Sequence, residues 1–183
     1  GALEGALNSG AAFPDEPDSF VTVFNAEGEE LWTQRRGARL ADEASQLTFG
    51  ADGTVYVAGR SRSALPGATA IGNWDGYIEA FGPPDATGKV SATFTQNFGT
   101  TGADRPAGMV LDGTSLVTAS IEDGRAVLRR FDISGGAPVL TATRDLGDLQ
   151  GGDIAGLELD GGDVVLVGST ANGALAAGSV TRA

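Results

Sequence analysis

The residues in this chain with the means to do chemistry are its carboxylates, because histidine and cysteine are both absent. That absence removes imidazole-assisted and thiolate nucleophiles, zinc sites built on either ligand, and disulfides. Carboxylates can still do two things. They can hold calcium, which takes about 6–8 oxygen ligands, or act in pairs on a glycosidic bond. The densest acidic cluster is DLGDLQGGD, where glycines would let Asp145, Asp148 and Asp153 converge on a cation. The plainer account is a solvated loop whose aspartates bond their own backbone. Asp52, Asp112 and Asp160 recur as well, but each precedes a glycine between two apolar runs, where Asp-Gly builds a turn. For hydrolysis, 24 acids make a chance pair easy to find, and no local pattern singles one out.

Four other side chains are candidates for holding a ligand or partner. Trp74 stands in IGNWDG, where an exposed ring would stack on a sugar or anchor a protein; the plainer account is packing over a neighbouring unit. Thr22, Glu79 and Arg129 occupy matching midpoints of three similar segments, DSFVTVF, DGYIEAF and RAVLRRF. They would line a polar channel if those segments lie nearest a common axis. Alternatively, Glu79 and Arg129 would form a structural pair between neighbours.

Composition narrows the class of partner. Twelve bases against 24 acids leave a net charge of -12, with Lys89 as the one lysine. Nucleic-acid binding needs clustered cations to displace counterions from phosphate. The adjacent pairs Arg35-Arg36 and Arg129-Arg130 make no stripe, since neighbours on a strand point to opposite faces. Nucleic acid is therefore excluded as the expected partner, as is insertion into a membrane, because no run approaches the roughly 18 apolar residues of a span. No cofactor is implied beyond the calcium already weighed.

The elements that must position these residues are strands. Glycine numbers 29 of 183 residues, about twice the usual ~7% share, which favours a chain rich in turns. Three hairpins stand out: SQLTF and TVYVAG around Asp52-Gly53, AGMVL and SLVTAS around Asp112-Gly113, and IAGLEL and DVVLVG around Gly161-Gly162. An aspartate precedes each, at Asp42, Asp104 and Asp153. Ahead of each hairpin lie a first strand ending in Phe24, Phe81 or Phe131 and a weaker second strand near 30–34, 90–98 or 139–146. Only 29–40 could hold a helical turn.

This pattern predicts an all-β, propeller-type array of three four-stranded antiparallel blades. The expected units are a Gly/Ala-rich linker (1–17), a blade with its crossing loop (18–74), a second blade (75–123), and a third with a C-terminal linker (124–183). Both faces of the first strands are mostly apolar, as in stacked sheets. Known propellers close with about four to eight blades. Three make an incomplete ring with a bare apolar face at each end, to be covered by a protein partner, by further blades or by self-association.

Taken in order, DSFVTVFNAEGEELW, FGADGTVYVAG and the LPG…WDG crossing resemble the bacterial SBBP-type β-propeller repeat. The second copy departs by lacking the Ala-Leu crossing and the third by lacking the opening Asp-[Ser/Gly]-aromatic. Such repeats occur in large bacterial surface and secreted proteins, some linked to flagellar gene clusters. The resemblance implies a non-catalytic binding or scaffolding module, extracellular or at the cell surface. A carbohydrate-active enzyme using an Asp/Glu pair and a calcium-stabilised lectin-like domain are the alternatives.

Overall fold

The computed structural model describes residues 2–4, 17–36 and 40–176. Their strands are β1 (Ala2–Glu4), β2 (Pro17–Phe24), β3 (Glu30–Arg36), β4 (Asp42–Phe49), β5 (Val55–Ser61), β6 (Asp75–Phe81) and β7 (Ala92–Phe98). They continue as β8 (Asp104–Asp112), β9 (Ser115–Glu122), β10 (Arg125–Asp132), β11 (Val139–Asp148), β12 (Asp153–Asp160) and β13 (Asp163–Ser169). One short helix, α1 (Gly173–Ala176), follows, and β3 occupies most of 29–40, the stretch that could have held a helical turn. The chain is all-β, and every named strand pair is antiparallel.

The grouping of strands differs from the sequence expectation. Instead of three four-stranded blades there are four sheets, ordered β1-β2-β3, β4-β5-β6-β7, β8-β9-β10-β11 and β12-β13. The described sheets do not close into a ring. Each four-stranded sheet straddles an expected blade boundary, joining the hairpin of one repeat to the first two strands of the next. The reason lies in the connection from β9 to β10. Asp123 (φ 48°) and Gly124 (φ 80°) both have positive φ, as a two-residue type I′ hairpin turn requires. Such a turn joins only hydrogen-bonded neighbours, so Glu122 and Arg125 pair directly within one sheet. The longer LPG crossing between β5 and β6 does the same job with more residues, and those strands also pair. The expected linker over 1–17 lies outside the described residues except at its ends, where Ala2–Glu4 is β1 and Pro17 opens β2.

Within this regrouping the repeat is regular. Phe24, Phe81 and Phe131 each follow a register shift against the next strand, at Val23/Phe24, Ala80/Phe81 and Arg130/Phe131. A second shift recurs in each hairpin, at Ala44/Gln46, Pro106/Gly108 and Ile154/Gly156. Bulges set twist locally, so equal bulges give successive sheets a similar shape for stacking. The expected turn conformations are present, with φ of 84° at Gly53, 57° at Gly113, and 57° and 98° at Gly161 and Gly162. Asp153 departs from the expected match. It pairs with Ser169 as Glu43 pairs with Arg60, one place along from Asp42 and Asp104.

Successive sheets pack face to face, and β4, β8 and β12 are the strands through which neighbouring sheets chiefly meet. Those are the first strands of the hairpins, and β2 meets β4 at the first junction. Three apolar layers result. Val55, Val57, Phe81 and Val90 meet Val21, Val23 and Trp32 in the first. Tyr56, Ala58, Ile78 and Phe98 meet Met109, Leu116 and Phe131 in the second. Val110, Val117 and Ala119 meet Ile154, Leu157, Val164 and Leu166 in the third.

The phenylalanines show how this layering sets burial. Phe81 lies 6.2 Å from Trp32 and Phe131 lies 6.0 Å from Phe98, ring centroid to centroid, each ring facing the preceding sheet. Phe24 holds the matching position in the first sheet, with no preceding sheet among the described residues, and is 58% exposed, against 0% for Phe81. The two-sided cover expected for the first strands is therefore corrected for β2 at Phe24. Removing the ring of Phe81 (Phe81→Ala) should cost about 3–5 kcal/mol. Phe24→Ala should stay within about 0.5 kcal/mol. Urea denaturation of both variants at low protein concentration checks this contrast.

Candidate functional site

The three polar midpoints do fall at equivalent register positions, opposite Thr33, Thr95 and Thr143 on the neighbouring strands. They do not share a channel lining, because each is engaged locally. The Thr22 and Thr33 hydroxyls lie 3.0 Å apart. Glu79 is 2% exposed and accepts from Thr95 Oγ1 at 2.7 Å. The guanidinium of Arg36, at the end of β3, also donates to Glu79. Arg129 pairs instead with Glu122 on β9, whose carboxylate is also bonded by Ser120 Oγ at 2.6 Å. The alternative expectation of a Glu79–Arg129 pair is thus corrected: each took a different partner, Arg36 from the preceding sheet for Glu79 and Glu122 from its own sheet for Arg129.

Arg36 is the side chain that ties the first sheet to the second. It donates to Glu79, to Thr95 Oγ1 at 3.1 Å and to the Pro66 carbonyl at 3.3 Å. Its Nε is buried without a hydrogen-bond partner. Burial raises the Glu79 carboxyl above its ordinary range, against the pull of the Arg36 charge. Burial likewise lowers the Arg129 guanidinium. Arg36 and Thr95 border an open groove of about 660 Å³ that runs past Gln34, Pro66, Gln96 and Pro138. A smaller hollow of about 220 Å³ lies beside Asn97, Phe98, Arg129 and Leu140. Glu79 borders neither, so the groove offers an arginine whose charge is already compensated rather than a pair of working acids.

Three further buried acids accept from backbone amides, while the Asp18 carboxyl is raised by burial alone. Asp75 accepts from the Ile71 and Gly72 amides at 2.7 and 2.6 Å. Asp104 accepts from the Thr100 amide and hydroxyl at 2.6 and 3.0 Å, and burial raises its carboxyl even so. Asp42 accepts from the Ser19 amide at 2.7 Å, linking the first two sheets. Carboxylates accepting from backbone N–H groups in this way fix loop and strand positions.

The calcium candidates are dispersed. Asp145 pairs with Arg125 at 2.8 Å, and that hydrogen bond, with one from the Gly147 amide, holds its carboxyl below the usual range. Asp148 accepts from the Gln150 amide at 2.7 Å, and Asp153 pairs with Arg105 at 2.5 Å. Among the described residues no three acids come together as a metal-ion group. Trp74 is half-buried, with the Arg60 guanidinium 4.3 Å from its ring centroid. Its carbonyl accepts from the Asp104 amide at 2.8 Å, where the third sheet starts. One ring face is therefore already stacked by a cation.

Sequence reasoning missed Arg36, Glu122 and Thr95. A signal existed for Glu122, which sits one residue before an Asp-Gly turn and therefore beside the strand carrying Arg129. Arg36 had none, because its partner is 43 residues away on another sheet.

No family model matches the chain. It is 42% identical over 195 residues to the regulatory protein FlaEY of Caulobacter vibrioides, an alignment covering 91% of this chain and 20% of that protein. The chain thus spans about a fifth of the length of this relative.

Because the folded state binds the Glu79 proton more tightly than the unfolded chain does, stability from this group is full below the ordinary Glu range. It is lost as pH rises through the raised value. Arg36 offsets that loss at neutral pH. Arg36→Met alone should cost about 3–5 kcal/mol by stranding a buried charge. Its deficit should grow from pH 5 to pH 8, and the double variant with Glu79→Gln should recover most of it. Urea midpoints across that pH range measure all three effects.

Proposed function

We propose that this chain is a non-catalytic binding or scaffolding module, a propeller-type array of SBBP-like repeats in a bacterial extracellular or cell-surface protein associated with the flagellum. The observation that carries the reading is the use made of the buried acids. Asp42, Asp75, Asp104, Glu79 and Glu122 are taken up by backbone amides, hydroxyls and arginines that join strands, sheets and loops. A glycosidase needs two carboxyls facing a substrate cleft, one with a raised pKa. The raised carboxyl of Glu79 faces Arg36 and Thr95 instead, and that of Asp104 faces the Thr100 amide and hydroxyl.

Three further observations support it. The equal bulges and stacked faces suit a module built by repetition, whose surfaces serve as contact area. The similar protein FlaEY is called a regulatory protein. The motif resemblance supplies the surface location and the flagellar link.

Deleting the segment in frame from its parent gene should impair swimming in soft agar while leaving growth rate unchanged, and a tagged parent protein should be degraded by protease added to intact cells. Normal swimming together with full protease protection would overturn the reading. Release of reducing sugar from cell-wall or capsular polysaccharide by the purified chain would replace it with the carbohydrate-active alternative.

A further inference from the structure

The last sheet is half a sheet. In the two four-stranded sheets, the second strand is paired on both edges, β5 by β4 and β6, and β9 by β8 and β10. The matching strand β13 is paired on one edge by β12 and has no strand partner on the other among the described residues. Its outward face is bare as well. Register makes Tyr56, Val117 and Val165 equivalent, and likewise Ala58, Ala119 and Val167. The first two of each set are at most 9% exposed, whereas Val165 is 44% and Val167 54% exposed.

At the opposite end the first sheet has the complementary lack. It holds β2 and β3, the equivalents of β6 and β7, while β1 covers only Pro17–Ser19. The edge over Phe20–Phe24 carries no strand partner among the described residues, and Phe24 and Leu31 are each 58% exposed. What one end lacks, the other end presents.

Edge protection points the same way. The outer strands β3 and β11 carry charges along their length, with Glu30, Arg35 and Arg36 on one and Arg144, Asp145 and Asp148 on the other. Lysine, arginine, proline and bulges are the usual guards of a free edge. From Val164 to Ser169 β13 has no charge and no proline. An apolar edge of this kind is what a covered interior strand looks like.

We propose that copies of this chain associate head to tail, the β2–β3 pair of one copy adding to the β13 edge of another to complete a four-stranded sheet. The register follows from β9 against β10, where Ala119 opposes Leu128 and Val117 opposes Arg130. Transferred to equivalent positions, Val167 lies opposite Val21 of the second copy and Val165 opposite Val23. All four valines then face the second copy's β4–β7 sheet, which covers them as it covers Val21 and Val23 in its own chain. Phe24 of the second copy then turns towards the first copy's β8–β11 sheet, as Phe131 turns towards Phe98 in the sheet before it. The proposal rests on the repeat architecture assigned above, and the two fail separately, because association is read on the isolated chain and the flagellar role in cells.

The chain contains no cysteine, so engineered thiols report the register without background. Val21→Cys and Val167→Cys chains, mixed and oxidised under non-denaturing conditions, should yield the mixed disulfide several-fold above its statistical share. Val167→Cys mixed with Thr33→Cys, which lies off the joint, should give no such excess. Light scattering should find the wild-type chain at a multiple of its 18.4 kDa mass. Val167→Lys or Phe24→Asp, both at exposed positions, should restore the monomer with unchanged circular dichroism. A strictly monomeric wild-type chain, a statistical disulfide yield, or an oligomer indifferent to both substitutions would overturn the proposal.

Discussion

A β-sheet that is apolar on both faces cannot be satisfied by its own hydrogen bonds. Burying apolar area is worth roughly 25 cal/mol per Å², so such a sheet is stable only with something laid on each side. That constraint governs this fold. Val55 and Val57 look one way from β5 and Tyr56 and Ala58 the other, and both sets are buried because sheets flank that strand on both sides. The same alternation on β13 leaves Val165 and Val167 in solvent while Val164 and Leu166 are packed. Exposure here reports position in the stack rather than any change in the kind of residue.

Polar residues are arranged around the same constraint. Stacked faces slide unless something fixes them, since apolar contact is non-directional. The buried groups supply direction. Arg36 reaches from β3 to Glu79 on β6, the Ser19 amide reaches Asp42, and the Trp74 carbonyl reaches the Asp104 amide. Each bond crosses from one sheet or its loop to the next. A carboxylate buried this way is costly if its partner is lost, which ties the stacking geometry to a few specific pairs.

The strands were legible in the sequence because alternation and Asp-Gly turns are local signals. DGYIEAF occupies β6 over the expected residues, and the twelve expected strands all occur, with bounds moved by a few positions. The grouping into sheets was not legible from the period alone. A repeat of four strands can be cut into sheets at any joint, and the LPG crossing looked like the place to cut. Asp123-Gly124 was the decisive signal, since a two-residue turn cannot pass between sheets. The candidate site was less legible still. Thr22, Glu79 and Arg129 were correctly matched to one another, and Thr22 and Arg129 close on Thr33 and Glu122 of their own sheets, but the partner of Glu79 depends on which sheets face each other. Contacts around Glu79 span up to 59 residues, beyond the reach of local pattern.

The net charge of -12 belongs to this picture rather than beside it. A stack that leaves Phe24 and Leu31 bare at one end and Val165 and Val167 at the other would collect unrelated apolar surfaces if it were neutral. Six of the acids lie between Asp145 and Asp163, on β11, β12 and the first residue of β13, with no lysine or arginine between them, although Arg125 and Arg105 pair with two of the six. Such a field repels other acidic surfaces over a Debye length of about 10 Å at 0.1 M salt. It does not prevent pairing by a strand whose backbone groups match the edge, because hydrogen bonds and buried valines act inside that distance. Arg35 is exposed on β3, but Glu27, Glu29 and Glu30 are exposed at the same end, so pairing at that edge rests on the strand match and the buried valines rather than on opposite charge.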